Sequence, residues 1–267
     1  DVYKRQSLTS AQLVALDTNQ VRAIETADIE ALSTDQFNKL TTSQVAALTT
    51  EQVVAIQTED LAALSSAQLR AFSTAQLDAL STDQVAALTT NQVANLTTAQ
   101  VASLDTAAVQ ALTTAQVAAL TTAELVAMTT TQIAAMETAD IQALTTAQIS
   151  RLTTAQIASL TTEQVSVMET ADIAALTTVQ VRALTDDQIV AFTTDQIPSL
   201  TTANIAAMTT AQHLAFEGDD IAVMTANQLD TFLLTSPIVL DLDGNGIQTL
   251  AALSLIHISE PTRPLYI

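Results

Sequence analysis

Large apolar residues recur along this chain at alternating steps of five and three, from Leu8 to Thr231, in 28 consecutive eight-residue units without a gap. A typical unit is Leu112-Thr113-Thr114-Ala115-Gln116-Val117-Ala118-Ala119. The first position is large and apolar in all 28 octads, and the sixth is apolar in 27, His213 being the exception. The third is Thr or Ser in 25, the fifth is Gln in 20, and the eighth is mostly Ala. The seventh varies most, which predicts that it faces water. Self-similarity at a fixed period marks a solenoid-type array, in which each unit buries its apolar face against its neighbours.

The spacing decides between helix and strand. Odd steps of five and three put successive large residues on opposite faces of a flat strand, so a half-buried strand fails. A single long helix fails too. Eight residues at about 100° each advance the apolar pair by about 80° per octad, whereas a heptad drifts by only about 20°. The pattern therefore predicts an all-α solenoid or superhelix of short capped helices, one per octad, broken at each Thr-Thr. A β-solenoid with turns that reset the alternation is the competing reading, since Thr, Val and Ile favour strands.

The break has a chemical cause. Thr-x-x-Gln, as in Thr113 to Gln116, is a capping box in which hydroxyl and amide satisfy exposed backbone donors reciprocally. The box favours position two as the N-cap, while the greater constancy of position three favours that position instead. A two-turn helix does not persist alone in water, so stacking through positions one and six must hold it.

A two-octad period lies beneath the first. Acidic residues replace the position-five glutamine at Asp28, Asp60, Glu124, Asp140, Asp172 and Asp220, all an even number of octads from Leu8. The five basic residues inside the array, Arg22, Lys39, Arg70, Arg151 and Arg182, all fall in the other set. This predicts a 16-residue structural unit. Four of those bases follow an acid by ten or eleven positions: Asp28 to Lys39, Asp60 to Arg70, Asp140 to Arg151 and Asp172 to Arg182. Contacts between successive helices are the expectation, each contributing at most about 1 kcal/mol where exposed. Wherever position two is Glu or Gln (Glu25, Gln57, Glu137, Glu169, Glu217), position five is Asp. Those octads exchange the Thr box for negative charge at a helix start, where the dipole favours it.

Composition narrows the function classes. The 267 residues include 28 acidic and 8 basic side chains, for a formal charge of −20, which opposes nucleic acid and anionic surfaces. There is no cysteine, hence no disulfide framework, thiolate zinc site or thiol nucleophile. No run of 18 apolar residues occurs, so membrane insertion by a helix is not expected. His213 is the only histidine within the array, and without a second histidine or a cysteine it reads as a core residue. No serine has a partner base in sequence, no Gly-rich phosphate loop exists, and the carboxylates follow the repeat. A catalytic site is therefore not expected. Pro198, at position seven, should disturb one helix.

Both ends depart from the pattern. Asp1-Val2-Tyr3-Lys4-Arg5-Gln6 reads back as GAT GTG TAT AAG AGA CAG, which resembles the transposon end used to tag DNA for sequencing. Leu253 to Arg263 resembles the reverse complement of that end plus its adapter. The expected organisation is an adapter-derived tail at 1–6, the octad array at 7–235, a distinct segment at 236–252 and a second adapter-derived tail at 253–267.

Two resemblances bear on function. Leu48-Thr49-Thr50-Glu51-Gln52-Val53-Val54-Ala55-Ile56 resembles the first helix of a TAL-effector repeat, without that family's second helix or base-reading loop. The net charge points away from the DNA binding this would imply. Ser236-Pro237-Ile238-Val239-Leu240-Asp241-Leu242-Asp243-Gly244-Asn245-Gly246-Ile247-Gln248-Thr249-Leu250 resembles a segment of the secreted bacterial repeats-in-toxin (RTX) and haemolysin-type proteins, which bind calcium. Asp241, Asp243 and Asn245 alternate as oxygen ligands, Gly246 permits a sharp turn, and the Ile247 carbonyl can add a fourth ligand. The twelfth loop position is Ala252 rather than the bidentate Glu of an EF-hand. The resemblance implies a secreted or cell-surface bacterial parent, a calcium ion as ligand, and a non-catalytic stalk or spacer. The alternative is a repeat surface, rich in Thr, that binds an extracellular protein, a glycan or ice.

Overall fold

The computed structural model describes residues 9–236. Among these residues every octad carries one helix, from Ser10–Val14 to Ala226–Thr235. All but one are α-helical, and there is no strand among the described residues. The all-α solenoid expected from the spacing is what forms.

Each octad folds by the same local rule. In the unit that starts at Leu112, Thr113 is extended (φ −78°, ψ 155°) and caps the helix Thr114–Ala119. The Val117 N–H donates to the Thr113 carbonyl at 2.9 Å, closing one α-turn, and the Leu120 N–H donates to the Val117 carbonyl at 3.1 Å. Leu120 is extended (φ −56°, ψ 134°), and Thr121, also extended, caps the next helix. Positions one and two thus form a two-residue extended joint that turns the chain. The N-cap is position two in every α-helix among the described residues, which settles the choice the sequence left open.

Stacking replaces helix length as the source of stability. Helices three octads apart pack together, as Thr98–Ser103 does on Thr122–Ala127. Position-six residues such as Ile133, Ile141, Ile149 and Ile157 are fully buried, and position-one residues such as Leu144, Leu152 and Leu160 nearly so. One continuous apolar core runs from Leu13 to Phe232. Positions two, three, four and seven mostly face outward, and the small residue at position eight lies half-buried.

The two-octad alternation acquires a meaning here. Three is odd, so octads that stack at that spacing come from opposite sets. The base-bearing helix Thr34–Lys39 packs under the acid-bearing helix Thr58–Ala63, and the octad of Arg151 packs under that of Asp172. The ion pairs expected between successive helices are not what engages these acids. Asp60 takes a hydroxyl hydrogen bond from Thr34 at 2.7 Å, and Asp172 is hydrogen-bonded by Thr146. The charges felt by Asp60, Asp140 and Asp172 are those of Glu59, Glu137 and Glu169.

Two departures from the rule are explained by single residues. Pro198 removes an N–H from its octad, and the α-helix there becomes the 3-10 turn Ile197–Ser199. At the far end, His213 replaces an aliphatic residue at position six and is 1% exposed. Its ring meets Phe232 at 5.3 Å, and Phe232 meets Phe216 edge-on at 5.6 Å. The ten-residue helix Ala226–Thr235 closes over this cluster.

Candidate functional site

The most ordered chemistry in the molecule is a ladder of buried glutamines at position five. Gln156 shows the geometry. Its Oε1 accepts the Thr153 backbone N–H at 2.9 Å, while the Gln156 N–H reaches the Thr153 hydroxyl at 3.2 Å. This is the capping box predicted from Thr-x-x-Gln. The same side chain then does a second job. Its Nε2 donates to the carbonyls of Leu125 at 2.8 Å and Met128 at 2.9 Å, 31 and 28 residues earlier.

The Met128 carbonyl, at the C-cap of the helix Thr122–Ala127, is a helix-end acceptor that helical bonding leaves short, and the Leu125 carbonyl, which also accepts the Met128 N–H at 3.2 Å, has a second lone pair to offer. The glutamine therefore ties the start of its own helix to the end of the helix one superhelical turn below. The separation of 28 to 31 residues means that a turn contains between three and four octads. The same pair of contacts recurs for Gln44, Gln52, Gln84, Gln92, Gln116, Gln132, Gln164, Gln180, Gln188, Gln212 and Gln228. Even Gln196, whose helix is broken by Pro198, keeps its bonds to Val165 and Met168 at 2.9 and 2.7 Å.

Other residues at position five do only part of this work. Asn204, one methylene shorter, reaches the Leu176 carbonyl alone, at 3.2 Å. Glu124 accepts the Thr121 N–H at 2.6 Å but has no amide to donate. Ala108 contributes neither, and Asp105 at position two caps its N–H at 2.7 Å instead. In the octads led by Glu25, Gln57, Glu137 and Glu169 the cap side chain makes no hydrogen bond. There Asp60, Asp140 and Asp172 are drawn inward, at 2 to 4% exposure. Burial raises the carboxyls of Asp60 and Asp172 above their usual range, an effect eased by Thr34 and Thr146. Burial also pushes Asp140 up to about 6, against the Glu137 backbone N–H that lowers it. At the surface the direction reverses: backbone N–H and Thr hydroxyl bonds hold Glu51 and Glu163 below the ordinary carboxylate value.

The residues singled out for metal chemistry divide differently. Asp241, Asp243, Asn245 and Ile247, the expected calcium ligands, lie outside the described residues. Among the described residues no group of three or more His, Asp or Glu side chains could hold a metal ion. His213 behaves as a core residue: its Nδ1 lies 3.0 Å from the Thr209 carbonyl and its Nε2 3.1 Å from the Thr235 hydroxyl. No helix among the described residues is long and apolar enough to cross a membrane. An open, shallow groove is lined by Glu30, Val54, Ile56, Thr58, Asp83 and neighbours.

Sequence reasoning missed the donor half of the glutamine. The signal was present in the 20 glutamines at position five against a single Glu. A capping box accepts Glu as readily as Gln, so a strong preference for the amide points to a use for its N–H.

Comparison with known families agrees with the geometry. A family model described as the ALTTAQ repeat matches residues 21–56, 53–90, 90–122, 133–168 and 165–202, together more than half of the chain. The first match opens at Val21 and contains Gln52, whose amide reaches the Val21 carbonyl, so one match spans one step of the ladder. No protein of curated function is similar enough to match.

Proposed function

Because this chain belongs to the ALTTAQ repeat family, we propose that it is a structural repeat module, a non-catalytic spacer that holds the parts flanking it at a set distance. The observation that carries this reading is where the repeated chemistry goes. The glutamine that recurs in 20 of the 28 octads is mostly buried, with Gln116, Gln156 and Gln188 at 1 to 2% exposure, and is spent on internal bonds between turns. Its bonding capacity is committed to rise and rigidity rather than to a ligand. Stacked helices rise by about 8–10 Å per turn, so about eight turns make a rod about 64–80 Å long.

Small-angle scattering of the purified chain tests the reading. A compact chain of this length has a radius of gyration near 18 Å. A spacer gives a clearly larger value and an elongated distance distribution, and a value at or below 18 Å overturns it.

In the same proposal the parent protein is secreted or cell-surface and resembles the RTX proteins. The acidic, cysteine-free composition and the Asp241-Leu242-Asp243-Gly244-Asn245-Gly246 segment support that setting. Calcium is the ligand proposed for Asp241, Asp243, Asn245 and the Ile247 carbonyl. Calorimetric titration of the full chain with calcium should show binding that Asp241→Asn with Asp243→Asn abolishes. A full chain that binds none removes the calcium assignment and leaves the spacer standing. The outward-facing threonines of position three favour a second reading, a surface that binds an extracellular protein, glycan or ice. Retention on a glycan array, lost on Thr→Val changes at position three with helicity unchanged, would select it.

A further inference from the structure

The ladder is interrupted where aspartate stands at position five, and the interruptions are spaced to adjoin. Asp140 and Asp172 are 32 residues apart, so they occupy consecutive rungs of one ladder. In the register kept by the ladder glutamines from Gln44 onward, the residue at 140 would serve the carbonyls of Val109 and Leu112, and the residue at 172 those of Ile141 and Leu144. A carboxylate has no hydrogen to give them. Asp140 is 2% exposed and its Oδ2 has no hydrogen-bond partner. Asp172 is equally buried, and its bond runs the other way, accepting from Thr146.

We propose that the adjoining rungs of Asp140 and Asp172 form a proton-operated seam, at which the superhelix is loose between turns when the carboxyls are ionised and tight when they are protonated. A proton taken from solvent converts each carboxylate into an O–H donor. By analogy with Asn204, a side chain of the same length that reaches the carbonyl 28 residues earlier, that donor would serve the Leu112 or Leu144 carbonyl. It also removes a buried negative charge from beside those carbonyl oxygens, whose dipoles point at it with the same sign.

The surroundings offer no competing cation at Asp140. Its own octad contributes Glu137. The helix Thr114–Ala119 packed below it carries no charge, the octad that ends at Val109 and Ala111 contributes Asp105, and the helix Thr162–Ser166 above contributes Glu163. Around Asp172 stand Glu169 in its own octad, Arg151 at the end of the octad below, and Asp195 in the octad of the 3-10 turn above. Burial raising both carboxyls is in the direction this requires. The sign follows. A carboxyl raised in the folded state from 3.8 to about 6 adds stability as pH falls through 6 toward 3.8, and withdraws it as pH rises.

Thermal melts of the full chain between pH 7.5 and pH 5.0 test the seam. The wild type should melt higher at pH 5.0. Asp140→Gln with Asp172→Gln should raise the midpoint at pH 7.5 by about 3–6 °C and flatten the pH dependence. Glu51→Gln, an exposed control, should keep the wild-type slope, separating the seam from general relief of acidic repulsion. Should the glutamine pair fail to fold, Asp140→Asn with Asp172→Asn, uncharged and isosteric, must flatten the slope. A doubly substituted chain that folds and keeps the wild-type slope overturns the proposal, as does a control that flattens as much.

Discussion

One side chain carries most of the specificity of this fold. A position-five glutamine is at once an acceptor for its own helix start and a donor to the helix end one turn below. The two halves are separable by substitution. Gln156→Ala should cost about 2–3 kcal/mol, because it leaves the Met128 carbonyl without its donor, takes one of two donors from Leu125, and leaves the Thr153 N–H without its acceptor. Gln156→Glu keeps the acceptor and loses the donor. It should cost at least as much at neutral pH, since it also buries a charge against carbonyl oxygens. Urea denaturation of the two variants decides the matter: a glutamate variant near wild-type stability would mean that the turn-to-turn bonds contribute little. The sequence made the acceptor half legible, because the Thr-x-x-Gln spacing is local. The donor half was hidden because its partners lie 28 to 31 residues away, a distance set by how helices pack.

At the scale of the element, an octad is too short to be a helix in its own right, so its boundaries rest on caps. The constancy of position three pointed one residue too far along. Position two caps, while Thr or Ser at position three is the first helical residue and mostly faces water. Paired substitutions make the distinction measurable. Thr153→Ala should cost about 1 kcal/mol through the lost cap, and Thr154→Ala no more than about 0.5 kcal/mol. Equal losses at the two sites would contradict the assigned cap. Proline gives the converse case. Pro198 was readable as a disturbance, and it shortens one helix to a 3-10 turn while Gln196 holds its rung. Pro198→Ala should restore an α-turn and raise stability by about 1–2 kcal/mol, partly offset by a freer unfolded chain. A melting temperature below wild type would show that the 3-10 turn is required.

For the whole molecule, the octad period set the fold class, and the number of octads per turn was out of reach. The 3, 5, 3, 5 spacing excludes a flat strand and a straight helix by geometry alone, but the pitch depends on how a two-residue extended joint sums over successive helices. That pitch makes the array insensitive to which octad occupies a rung and sensitive to fractions of one. Deleting Thr113–Leu120 brings another position-five side chain to the same height, so that every later glutamine still meets carbonyls at positions six and one. Deleting Thr113–Gln116 alone shifts each rung that crosses the cut by half an octad, setting amides against apolar side chains and carbonyls against none. The full-octad deletion should unfold cooperatively within about 1–2 kcal/mol of wild type, as expected where each repeat contributes its own and nearest-neighbour terms. The half-octad deletion should lose several times more and broaden the urea transition as the two flanking segments unfold separately. Equal losses for both deletions would mean that the length removed matters and the register does not, and the ladder would then be a consequence of stacking rather than what sets it.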